Sequence, residues 1–152
     1  MTNNDVLRRM RYLFDYNDQQ MIDLFKLADH NVNREQVSNW MKKEDDPLFH
    51  PMRDKELAIF LNGIIIDKRG KRDGPTPPPE DPLSNNMILR KLKIALELKT
   101  EDIIDIFAGI DKQITKNELG SFFRKPGHKS YRPCLDQYLR NFLDGLQNKY
   151  KK

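Results

Sequence analysis

The 152 residues carry 27 Lys/Arg against 23 Asp/Glu, with 38% apolar and 33% charged residues, enough apolar material for one packed domain or two small ones. No segment approaches the roughly 20 apolar residues of a membrane span, the longest strongly apolar cluster being Ile64-Ile65-Ile66. The opening Met1-Thr2-Asn3-Asn4-Asp5 lacks a signal-peptide layout and Cys134 has no disulfide partner, so a cytoplasmic protein without a membrane partner is expected.

The first predicted element is a helix with Val6, Leu7, Met10, Leu13 and Phe14 at helical spacing, capped by Asn3 or Asn4. A second helix starts near Asp18 as cap and buries Met21, Ile22, Leu24 and Phe25. The third opens on Asn33-x-x-Gln36, which fits a capping box, and carries Val37, Trp40 and Met41. The fourth starts at Pro51, whose missing N–H suits a first turn, and Asp54 then meets the positive helix end. Its apolar residues are Met52, Leu57, Phe60, Leu61 and Ile64. Residues 70–84 follow as a proline-rich linker, and a stretch of that kind is extended and semi-rigid, a spacer rather than a docking motif.

From Asn85 the pattern starts again. A fixed shift of 82 lays residues 3–69 on 85–151 without a gap, and 15 of the 67 pairs are identical. A duplication decides the fold class before any motif does. Ile88, Leu89, Leu92, Ala95 and Leu96 form the fifth helix after Ser84 or Asn85 as cap. Ile103, Ile104, Ile106 and Phe107 form the sixth after Thr100. Thr115-x-x-Glu118 opens the seventh, with Leu119, Phe122 and Phe123. Pro133 opens the eighth, with Asp136 in its first turn and Cys134, Leu135, Leu139, Phe142, Leu143 and Leu146 as its apolar set. No segment alternates with period two. The expectation is an all-α tandem duplication: repeats at 1–69 and 85–152, each of four helices.

Within each repeat the second and third helices have spacing like a helix-turn-helix. Measured from Asp23, the small, turn and branched positions hold Leu27, Asn31 and Val37, with Val32 and Trp40 completing the unit. Measured from Asp105 they hold Gly109, Gln113 and Leu119, with Ile114 and Phe122. Asn31 tolerates the left-handed turn conformation, and Val37-Ser38-Asn39-Trp40 is similar to a phage-repressor recognition helix. Each copy also breaks one rule, through the large Leu27 and through Gln113. If the third helix enters a groove, Arg34, Ser38, Asn39, Lys42 and Lys43 face nucleic acid, joined by Lys116, Ser121, Arg124 and Lys125. Residues 85–152 hold 14 Lys/Arg against 8 Asp/Glu, whereas residues 1–69 hold 11 against 12. The strongest patch is Arg124-Lys125-Pro-Gly-His-Lys129-Ser-Tyr-Arg132, whose counterpart contains Glu44-Asp45-Asp46. A polyanion face, DNA or RNA, is therefore expected on the second copy.

Enzyme chemistry has little support. The duplication keeps no histidine, since His30, His50 and His128 align with Lys112, Arg132 and Asp46. No metal-ligand spacing, nucleophile motif or glycine-rich phosphate loop is present, so no cofactor is expected. Cys134 reads as a small buried side chain, and Asp23 and Asp105 as acids among core residues. Gly63 and Gly145 inside the fourth helices point to close helix–helix approach, and Ile65 and Ile66 give the first copy extra apolar surface. The expected function is a non-enzymatic nucleic-acid-associated or regulatory protein. The alternative is an adaptor binding protein through apolar helix surface around Ile65, Ile66, Gly63 and Gly145.

Laid out this way, the chain resembles the bacterial YehS-like proteins, a duplicated-domain family of unknown function. The resemblance rests on the two Asn-Asn-x-x-Leu-Arg openings, on Trp40-x-x-Lys43-Glu44-Asp45, and on Phe60-Leu61-Asn62-Gly63 with Lys68-Arg69-Gly70-Lys71. Leu96-x-Leu98-Lys99-Thr100-x-Asp102, His128-Lys129 and Asp136-Gln137-x-Leu139-Arg140 extend it over essentially the whole chain. It implies a small cytosolic bacterial protein and supplies no catalytic residues.

Overall fold

In a computed structural model, residues 1–74 and 77–151 are described, so Pro75 and Thr76 of the proline-rich linker lie outside the described residues. Eight helices and no strand occur among the described residues. In the first repeat they are α1 (Asn3–Phe14), α2 (Asp18–Leu27), α3 (Arg34–Met41) and α4 (Asp54–Arg69). In the second they are α5 (Asn85–Ala95), α6 (Thr100–Ala108), α7 (Lys116–Phe122) and α8 (Asp136–Tyr150). The chain separates into two compact units, Met1–Leu83 and Ser84–Lys152. None of these helices is long and apolar enough to cross a membrane.

The helix starts follow from side-chain oxygens meeting free amides, but often one residue before the expected cap. Thr2, rather than Asn3 or Asn4, caps α1 and exchanges hydrogen bonds with Asp5. Asn17, rather than Asp18, caps α2 by the same exchange with Gln20. Lys99 precedes α6, so Thr100 is its first helical residue, and the Asp102 carboxylate accepts from the Lys99 amide. Ser84 caps α5, and the boxes Asn33–Gln36 and Thr115–Glu118 form as their spacing predicts. The fourth helices begin at Asp54 and Asp136, three residues after Pro51 and Pro133. The intervening residues stay extended because they are held elsewhere, as described below.

In the first unit α4 lies against α2 and α1, and α3 packs on α1 and α2. Phe25 joins these layers, its ring centroid 5.4 Å from Trp40 and 5.2 Å from Phe60. In the second unit α8 lies against α6 and α5, with α7 on α6, and Phe107 and Phe142 stack 6.4 Å apart. Most of the expected core residues are buried, but Leu135 is 62% exposed because it sits outside α8 in the extended entry. Phe14, Ile22, Met41, Leu96, Ile104 and Phe123 are only half-buried. A Cβ on Gly63 would overlap the Leu24 carbonyl oxygen, and one on Gly145 would meet the Ile106 oxygen at 2.6 Å. Both glycines are thus buried against the second helix of their own repeat.

Left-handed backbone also repeats. Asp15 and Asp29 have φ of 55° and 60°, and their counterparts Glu97 and Asp111 have 54° and 58°. The left-handed residue between the second and third helices is therefore Asp29 or Asp111, not Asn31. The Asp29 amide closes the end of α2 by donating to the Lys26 carbonyl at 2.9 Å, which fixes the reversal two residues earlier than expected.

Candidate nucleic-acid interface

The connection from α7 to α8 is a double turn. The His128 amide donates to the Lys125 carbonyl at 3.0 Å, and the Tyr131 amide to the His128 carbonyl at 2.9 Å. Gly127 takes φ of 92°, open to glycine at no steric cost. The end of the loop is then fastened twice. The Arg132 amide donates to the Ser121 carbonyl at 3.1 Å, and the Arg132 carbonyl accepts from the Asn86 side chain at 2.9 Å.

Asn86 is the centre of this arrangement. It is 7% exposed, its amide nitrogen donates to both Phe122 and Arg132 carbonyls, and its oxygen accepts from the Cys134 amide. Asn4 does the same with the Trp40 and His50 carbonyls and the Met52 amide. The preceding asparagines clamp the next residues: Asn3 donates to Met52 and Asp54, and Asn85 to Cys134 and Asp136. Arg8 and Arg90 reach the carbonyls of Lys42 and Phe123 at the ends of α3 and α7. The Asn-Asn-x-x-Leu-Arg openings are therefore loop clamps. Their occurrence in both copies was the sequence signal for this role, and it also explains why the chain stays extended until Asp54 and Asp136.

One scaffold thus presents two charge patterns. In the first unit Asp46 donates from its amide to the Lys43 carbonyl, and Phe49 to Asp46, both at 3.0 Å, reproducing the double turn. Residues 42–50 carry two lysines against Glu44, Asp45 and Asp46, whereas residues 124–132 carry Arg124, Lys125, Lys129 and Arg132 and no acid. Arg124, Lys125, Lys129 and Arg132 are all exposed. The Arg132 guanidinium donates to the Tyr131 carbonyl at 2.9 Å, which fixes its direction while leaving its charge uncompensated by that bond.

The other expected contact residues are more dispersed. Lys43 and Lys116 are exposed, whereas Ser38, Asn39, Lys42 and Ser121 are half-buried. Arg34 is exposed but leans on α2, 3.7 Å from Asp18 and 3.5 Å from Gln19. Ser121 donates to the Glu118 carbonyl on its own helix. The exposed faces of α3 and α7 also contain Glu35 and Glu118. The Thr115 amide and hydroxyl and the Tyr138 hydroxyl hold the Glu118 carboxyl below the usual range. The loop is consequently a more uniform cation surface than either short helix. Ile65 and Ile66 are half-buried on α4.

Groups with catalytic potential are placed differently. Asp23 and Asp105 are exposed, not buried as their neighbours suggested, because they occupy the outer face of α2 and α6; Asp23 accepts from Gln19 at 2.9 Å. Cys134 is buried, and burial together with the Asp136 charge pushes its thiol up to about 12. Among the described residues no cluster of three His, Cys, Asp or Glu suits a metal ion.

Comparison with known proteins agrees with the duplicated architecture. The family model for proteins of unknown function DUF1456 matches the chain twice, at residues 3–70 and 85–152. The uncharacterized protein YehS of Escherichia coli (strain K12) is 40% identical over 147 residues, covering 96% of this chain and 94% of the relative. No solved structure matches. With both repeats matched and nearly the whole chain aligned, the protein belongs to the DUF1456 family.

Proposed function

We propose that this is a non-enzymatic nucleic-acid-associated or regulatory protein of the cytoplasm, which binds a polyanion through the loop between α7 and α8. The observation that carries the reading is the pre-set double turn presenting Arg124, Lys125, Lys129 and Arg132 without an intervening acid. A loop ordered before binding loses little conformational freedom on contact. Lysines there meet phosphate as point charges, while an arginine fork matches two phosphate oxygens. The helix-turn-helix-like pairs α2–α3 and α6–α7 supply polar side chains beside the loops, with Ser38, Asn39 and Ser121 secondary to the cations.

The test is fluorescence anisotropy of labelled duplex DNA and RNA at low salt. Binding that weakens steeply as salt rises supports the reading, since released counterions make phosphate contacts salt-dependent. No binding of either polymer at low salt removes it. Affinity capture from lysate with and without nuclease separates the adaptor alternative, in which partners persist after nucleic acid is destroyed.

A further inference from the structure

We infer that the first repeat holds a small-ligand site between α3 and α4 that recognises adenine, as a free nucleoside or as an unpaired base in a strand. A cavity of about 270 Å³ is lined by Gln36, Asn39, Trp40, His50 and Glu56. It falls just under the ~300 Å³ at which small-molecule sites begin, a size for one ring system and little more. Trp40 is 1% exposed, and its indole N–H is buried without a hydrogen-bond partner among the described residues. Proteins rarely leave such a donor unmet unless a water or ligand supplies the acceptor. Glu56 is 8% exposed: the Arg53 amide binds Oε1 at 2.9 Å, whereas Oε2 has only a 3.5 Å contact with the Arg53 guanidinium. The lining therefore keeps an unmet buried donor and a weakly occupied carboxylate oxygen.

In the second repeat the same positions carry different side chains. Gln36, Trp40 and Glu56 correspond to Glu118, Phe122 and Tyr138 under the shift of 82. There the Tyr138 ring packs edge-on against Phe122 at 5.2 Å, and its hydroxyl donates to Glu118 at 3.1 Å. Phenylalanine removes the indole donor, and tyrosine reaches across to the opposite helix. At these positions the indole donor and the buried carboxylate belong to the first repeat.

The donor and acceptor pattern selects the ligand. Arg53 balances the Glu56 charge, its Nε 3.3 Å from Oε1, so what the lining asks of an occupant is a donor toward Glu56 and an acceptor for the indole. Adenine places an exocyclic amine beside ring nitrogens, and Asn39 carries the carboxamide that pairs with such an edge. Replacing the amine by a carbonyl, as in inosine, turns an acceptor toward Glu56. A nucleoside has no phosphate, so its binding is chemically distinct from polyanion binding at the cationic loop.

Trp40 is the chain's single tryptophan, so its intrinsic fluorescence reports occupancy of the intact protein directly. Saturable change on titration with adenosine, with inosine roughly tenfold weaker or worse, is the expected result. Glu56→Gln, of the same size, should weaken adenosine about tenfold at unchanged melting temperature. Lys125→Glu/Lys129→Glu should leave nucleoside binding unaltered, which separates failure of this site from failure of the polyanion surface. Response to adenosine identifies a free-nucleoside site. Response only to oligo(dA), lost in Glu56→Gln, identifies the unpaired base of a strand. No response to millimolar adenosine or to oligo(dA), or an equal response to inosine, overturns the inference.

Discussion

At the scale of single residues, Asn4 and Asn86 each satisfy two carbonyls and one amide that would otherwise be buried without partners. Asn4→Ala should lower stability by about 2–4 kcal/mol, measured by urea unfolding, since stranded buried polar groups cost more than the lost bonds alone. Asn86→Ala should do the same and, by releasing Arg132, also weaken polyanion binding. Tyr16 carries the opposite defect: its hydroxyl is buried without a partner among the described residues, and burial with the Asp67 charge pushes it up to about 12. Tyr16→Phe should stabilise the fold, by up to ~1 kcal/mol. Tyr16 and Cys134 ordinarily ionise near 10.0 and 9.0, and the folded state holds both protons to about 12. The unfolded chain therefore binds fewer protons across that window, so stability should fall as pH rises from about 9 toward 12. Urea midpoints should drop less steeply over that range in Tyr16→Phe and Cys134→Ala.

At the scale of elements, helix-interior glycines give opposite expectations according to what their missing Cβ would meet. Gly63→Ala and Gly145→Ala should each destabilise by several kcal/mol, because the methyl would enter the backbone of α2 or α6. Gly120→Ala, in α7 with open space around its missing Cβ, should stabilise by about 0.5–1 kcal/mol. Thermal melting of the three variants checks the signs. The glycine pair was legible in sequence because helix-interior glycine in both copies has few explanations besides close approach. Helix existence and core faces were legible for the same reason, since the shift of 82 keeps apolar positions in phase. Helix starts were less so. Thr2 and Asn17 compete with adjacent residues of equal capping chemistry, and Pro51 and Pro133 lie in segments held extended by Asn4 and Asn86. Those bonds span 46 to 48 residues, so local spacing carries no trace of them.

At the scale of the whole molecule, duplication supplies two copies of one loop scaffold, and divergence has put different chemistry on each. The basic character of the second copy was visible in composition, but its order was not, because the double turn is built from backbone bonds and an asparagine from α5. The cavity of the first copy was hidden for a related reason: Gln36, Trp40, His50 and Glu56 look ordinary until packing leaves the Trp40 indole N–H without a partner among the described residues. The most direct measurement is the salt dependence of duplex binding for the intact chain and for Lys125→Glu/Lys129→Glu. With four cations engaged, log affinity should fall against log salt with a slope of about −3 to −4, becoming shallower by about 2 in the variant at unchanged melting temperature. Absence of binding, or a variant with the same affinity and slope as the intact chain, would contradict the assignment of the loop as the contact surface.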